Sequence, residues 1–297
     1  MVGSSRDTWR SGLTLLEVLI AIAILALLIG IAYTAIVQGL RVQSSQEAAT
    51  TAQARLRRVV EVFTQEMRSA VLGAVSDSPY PSDAQTVSFT LLDGGAGFQV
   101  ESIDVANNRI EVISSNAADL GSANDQMMIV DAGGSAAVFT LASNPQGSAP
   151  VYTLVPRGSG CFSGMTAFDT SLSNRNALVF RVKTIGLRYD SASETLFITE
   201  GDADELPLAF DLAGFNLSYV YREGDGTLHI LDAPLRVGGY PARNATIGGD
   251  AVELVRLQVE LEGSQRAATG DVSRKYVGQV ELASNQTFSI KAVSSCS

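Results

Sequence analysis

A single acidic residue inside a long uncharged run constrains this chain more than any other feature. Between positions 13 and 37 the one charge is Glu17, and 18–37 alone supplies about 20 uncharged, mostly apolar residues. At about 1.5 Å per helical residue, such a run spans the roughly 30 Å of a bilayer's hydrocarbon core. A carboxylate at that depth costs several kcal/mol, about 2.5–3.5 on insertion scales, and is normally kept where a partner meets it. The run contains no Lys, Arg or His. A cationic partner must therefore come from another chain or from a newly made amino terminus.

The run is preceded by a short leader, residues 1–12, that carries Arg6 and Arg10 against Asp7. A positive flank ahead of an apolar segment stays on the cytoplasmic side, so the remainder of the chain is expected to be exported. An ordinary secretory signal peptide is the competing reading, and Ala32, Ala35 and Gly39 would serve as its small residues by composition. Such peptides have shorter apolar regions and are removed whole. Both the length of the run and the charge at Glu17 oppose that reading.

The segment Gly12-Leu13-Thr14-Leu15-Leu16-Glu17-Val18-Leu19-Ile20-Ala21-Ile22 resembles the class III signal of type IV prepilins and of the pseudopilins of type II secretion. The resemblance implies cleavage by prepilin peptidase between Gly12 and Leu13, N-methylation of Leu13, and a role for Glu17 as the assembly carboxylate. It covers about the first tenth of the chain, and Leu13 stands where the family usually has phenylalanine. The implied chemistry is physically coherent. Cleavage would create an ammonium at Leu13, and a neighbour's ammonium would offset the burial cost of Glu17. A glycine at the cut lets the peptidase approach the backbone closely.

Beyond the apolar run, Ala48, Ala52, Leu56, Val59, Val60, Phe63, Met67, Ala70, Val71 and Val75 recur at steps of three and four. Arg55, Arg57, Arg58, Glu61, Glu66 and Arg68 lie between them. This spacing predicts an amphipathic helix over 38–76 that continues the 13–37 span and stops before Pro79 and Pro81. Unbroken from 13 to 76 it would be roughly 95 Å long. Gly30 and Gly39 each cost about 1 kcal/mol relative to alanine, as points of bending or as tolerated contacts.

After Pro81 the texture changes to short alternating segments, at 86–92, 98–105, 109–113, 127–131, 137–141, 151–155, 177–189, 195–199, 215–222, 228–231, 252–262, 276–282 and 287–293. These read as strands, with turns at clusters such as Asp93-Gly94-Gly95 and Glu223-Gly224-Asp225-Gly226. Loop-like composition at 143–150 and 238–249 marks weak break points, and a single head over 82–297 is the simpler division. The expected fold class is α+β, with a long N-terminal helix packed on an antiparallel β-rich head, as in pilins.

The formal charge of −10, which becomes −11 without residues 1–12, argues against a broadly basic nucleic-acid surface. Arg55, Arg57 and Arg58 read as a solvated or subunit-facing stripe. His229 is the only histidine and falls in a strand, so a histidine metal cluster is excluded and no catalytic set emerges. Asp202, Asp204 and Glu205 form an acidic loop that lacks the ligand spacing of a known calcium motif. Cys161 and Cys296 are the two cysteines. Export permits a disulfide worth at most about 5 kcal/mol in the chain-entropy model, and pilin-family heads often use a C-terminal bridge; two separate thiols are the alternative.

The sequence thus points to a non-enzymatic, cofactor-free filament subunit anchored once in the cytoplasmic membrane, with an exported head. Its bulk and the segment Glu66-Met67-Arg68-Ser69-Ala70 resemble minor pilins of the PilW kind and the J-type minor pseudopilin. The resemblance implies as partners the prepilin peptidase, other pilin or pseudopilin subunits, the inner-membrane assembly platform and membrane lipid, with no direct nucleic-acid binding. The machine would be a type IV pilus, a type II secretion system or a competence filament. The alternative from another class is a membrane-anchored module whose head recognises a surface, glycan or protein.

Overall fold

Leu, Ile and Ala dominate the first half of the amino-terminal segment, and long side chains of good helix propensity dominate the second. Together they form one α-helix, Leu15–Arg68, of 54 residues. A computed structural model of the chain describes residues 15–68, 70–94, 97–169, 175–201, 203–267, 270–282 and 292–296. The chain divides into two compact units. One takes in the chain up to Thr50 together with Gln265–Val272, and the other holds Thr51–Ser264 and Ser273–Ser297.

In the second unit the helix buries Ala52, Leu56, Val59, Val60, Phe63 and Met67, the stripe that its three-and-four spacing predicts. Each large side chain among them is worth about 1.5–3 kcal/mol of burial. The stripe packs closely on two strands. A Cβ at Gly278 would stand 2.3 Å from Val60 Cγ1, and one at Gly263 would stand 3.1 Å from Leu56 Cδ2.

The helix ends at Arg68, which corrects the expected helix over 38–76. Arg68 complements the negative end of the helix dipole. Ala70–Ser76 is instead a strand, antiparallel to Thr86–Leu92, with Val75 opposite Phe89 and Ser76 opposite Ser88. Gly73 weakens a helix there, and the ladder to 86–92 satisfies the backbone while Ala70 and Val75 still reach the core. The local pattern fitted either period. Pairing with a later segment decided it.

The head is built on a 12-stranded sheet and a five-stranded sheet. Leu178–Asp190 organises the larger one. Its first residues pair with Gln126–Val130, and its later residues pair with Thr86–Leu92 on one side and Thr195–Glu200 on the other. The smaller sheet is centred on Leu212–Glu223 and the 18-residue strand Asp250–Ala267, which also pairs with Gly270–Glu281. One buried cluster joins the helix to the smaller sheet and to Val87, Phe89, Ile185 and Leu187. A second gathers around Ile110, Met127, Phe139, Leu154 and Phe162. Leu178–Asp190 contributes Val179 to the second cluster and Ile185 and Leu187 to the first, so one strand ties the two cores together.

The expected break points prove to be strand-bearing. Gln146–Ser148 pairs with Val151–Leu154, and Asn244–Ile247 pairs with the start of Asp250–Ala267. Both lie inside the second unit. The last strand, Val293–Cys296, departs from the antiparallel pattern and runs parallel to Ala136–Thr140, with Cys296 opposite Phe139. The expected strand at 287–293 lies outside the described residues except for its final positions.

Candidate functional site: the amino-terminal helix and its acid

Glu17 lies in the first described turn of the helix, where a carboxylate suits the positive end of the dipole. Around it the surface is apolar. Leu15, Leu16, Leu19, Ile20, Ile22 and Leu25 are all exposed. The most apolar 18-residue window has a mean hydropathy of 2.9, and none of it is buried within the chain. Leaving that many Leu and Ile side chains in water forgoes roughly 1.5–3 kcal/mol each, so this surface requires lipid or neighbouring helices.

The backbone of the span is suited to an apolar medium. Thr34 donates its hydroxyl to the carbonyls of Gly30, at 3.1 Å, and Ile31, at 2.8 Å, which satisfies that polar group internally. The helix passes unbroken through Gly30 and Gly39. A Cβ at either position would meet nothing within 4 Å, so neither glycine serves a close contact inside this chain. Gly12 and Leu13, the expected cleavage and methylation positions, lie outside the described residues.

The other candidate positions are placed as follows. Arg55 pairs with Asp211 at 2.9 Å and Arg57 with Glu61 at 2.8 Å. His229 lies in Leu228–Leu231 opposite Tyr221, and its Nε2 is hydrogen-bonded to Glu223. Asp202 lies outside the described residues, and Asp204 is exposed. Glu205 is held by a two-point contact with Arg188, at 2.9 and 2.6 Å, and accepts from Tyr80 Oη. These hydrogen bonds, the one from Arg188 first, hold the Glu205 carboxyl at about 2. Its oxygens face cationic and hydroxyl donors, so the acidic loop is not arranged around a cation. Among the described residues no cluster of three or more His, Cys, Asp or Glu could hold a metal ion.

The contact of Tyr80 with Glu205 and Arg188 left no signal in the sequence. Tyr80 Oη also bonds Thr199 Oγ1 at 2.6 Å, and Arg188 stacks over Phe197 with 5.1 Å to the ring centroid. A Cβ on Gly186 would lie 2.5 Å from Pro79 Cγ and 2.7 Å from Tyr80 Cδ2. The Pro79-Tyr80 corner is thereby seated on the central strand. The partners lie more than one hundred positions apart, beyond the reach of any local pattern.

Cys161 and Cys296 are brought together but are unbonded thiols in the structure. Cys161 is buried beside Phe162, and Cys296 packs against the same cluster. Burial first, then contact with the Cys161 thiol, pushes the Cys296 thiol above its ordinary range.

A membrane-length helix with one acid near its start, joined to an antiparallel β-rich head, defines an anchored α+β protein. Residues 10–33 match the family described as the prokaryotic N-terminal methylation motif. No curated protein and no solved structure matches the chain. The matched motif supports a type IV pilin-like chain, one that is a prepilin peptidase substrate, assembles with other such subunits, and fits a membrane-anchored protein in a structural role.

Proposed function

We propose that this chain is a non-enzymatic minor pilin or minor pseudopilin acting at the initiation or tip of a type IV pilus, type II secretion or competence filament. The observation that carries the reading is the methylation motif at 10–33 together with Glu17 on an exposed apolar helix. The large head supports minor rather than major status, because stacking along a shaft favours compact heads. Its likeness to minor pilins of the PilW kind and to the J-type minor pseudopilin points the same way.

In this reading the peptidase removes residues 1–12 on the cytoplasmic side and methylates Leu13. The helix then holds the protein in the cytoplasmic membrane by a single pass, with the head exported toward the assembly platform and other subunits. Glu17 meets the methylated amine of Leu13 on a neighbouring subunit, which lowers the burial cost of both charges. Cys161 and Cys296 close a disulfide after export.

Mass spectrometry of the mature amino terminus tests the reading directly. A chain beginning at Leu13 with one added methyl group supports it. A mature chain that begins after Ala32 or Ala35 would replace it with an ordinary secreted protein.

A further inference from the structure

The head carries an apolar groove of about 460 Å³ between the helix and the Leu206–Ala209 strand. Its floor is Val59 and Ala209, both members of the main core cluster. Val62, Leu208 and Phe210 complete the apolar lining, with Phe210 56% exposed and nearby Leu206 61% exposed. The core thus opens to the surface at this point, flanked by two of the larger exposed apolar side chains of the head. Such a patch marks an interaction surface.

The groove's edges decide what kind of partner fits. Leu206–Ala209 is an edge strand, paired among the described residues with Thr195–Glu200 alone. Pro207 sits in it and offers no N–H, which disfavours extension by an added strand. Beside it the helix presents Arg55, Arg58, Val59 and Val62 at steps of three, one and three, a ridge against which another helix can lie.

Charge narrows the chemistry further. Arg55 is matched by Asp211 at 2.9 Å. Arg58 is exposed and, among the described residues, has no acidic partner. The rim therefore holds a spare cation on a chain of formal charge −10.

We infer that this groove is the docking site for an amphipathic helix of a different polypeptide, one that inserts an apolar side chain over Val59 and Ala209 and offers a carboxylate to Arg58. The inference uses none of the residues of the methylation motif and stands or falls separately from the filament reading.

The test replaces Phe210 with a photoreactive phenylalanine analogue in the full-length protein in its native membranes, with the same analogue at Val277 as the control. After irradiation, the linked peptide is sequenced by mass spectrometry. The expected adduct is a helical segment of another protein with an acidic residue three or four positions from the linked apolar one. Arg58→Glu should lower its yield at least tenfold, Arg58→Gln should lower it less, and changing the partner's acid to Lys should restore linking to the Arg58→Glu protein. Protease resistance of the head confirms that both variants fold. No adduct above the Val277 control, an adduct only to lipid, to this chain or to a second copy of it, or a yield unchanged by Arg58→Glu would overturn the inference.

Discussion

Two carboxylates make opposite demands on their surroundings. Glu205 is supplied by its own chain, through Arg188 and Tyr80, whereas Glu17 sits on a helix surface made of Leu and Ile side chains. The Glu205 carboxyl is depressed from 4.5 to about 2, so its contribution is fully present above the unfolded value and fades as pH falls through the folded one. Because the Arg188 and Glu205 side chains are 33% and 34% exposed, solvent screening limits the pair to about 1 kcal/mol. Urea unfolding of the detergent-solubilised chain should show Glu205→Gln less stable than wild type at neutral pH, with the gap closing between about pH 4.5 and 2. A gap independent of pH would remove the ion pair as its cause. For Glu17 the expected outcome concerns assembly. Glu17→Ala should yield a stable, membrane-inserted protein that fails to join filaments, measured by fractionation and by co-purification with sheared filaments. Normal incorporation would favour the anchored binding module.

At the scale of elements, the helix and the sheet are fitted to each other through absent side chains. Gly278 lets the Gly270–Glu281 strand approach Val60, and a methyl group there would stand 2.3 Å from Val60 Cγ1 and 3.2 Å from Val259 Cγ1. Overpacking of this kind costs about 1–3 kcal/mol. Gly278→Ala should lower the denaturation midpoint accordingly, and adding Val60→Ala should recover part of the loss because it removes the obstructing methyl groups. If the two losses simply add, the contact is not the source of strain. The end of the helix follows the same logic. Residues 70–76 carry apolar spacing compatible with either period, and the strand forms because residues 86–92 offer a ladder and a core for Val75.

The whole molecule is one anchor carrying one large head, and the carboxyl end returns to that head rather than trailing from it. Val293–Cys296 lies parallel to Ala136–Thr140, which sets Cys296 beside Cys161 across about 135 positions of chain. Alkylation of the exported protein without reductant should leave both cysteines unmodified, while alkylation after reduction should label both. Labelling in each case would show that the pair stays reduced. Much of this architecture was legible locally. Thr86–Leu92, Arg109–Ile113 and Leu228–Leu231 form at the predicted positions, because alternation of apolar and polar side chains is a property of neighbours in sequence. The anchor and Glu17 were legible for a similar reason, since a membrane's thickness and the cost of a buried charge act on a contiguous segment. Contacts between distant residues were not. The early end of the helix at Arg68, the hold of Arg188 and Tyr80 on Glu205, the meeting of Cys161 with Cys296 and the groove beside Arg58 all depend on which strands pair. By itself the sequence determined the anchor, its acid and the β-rich character of the head; tertiary structure decided where each element stops and which side chains share a surface, because strand pairing and core packing join positions that no local pattern relates.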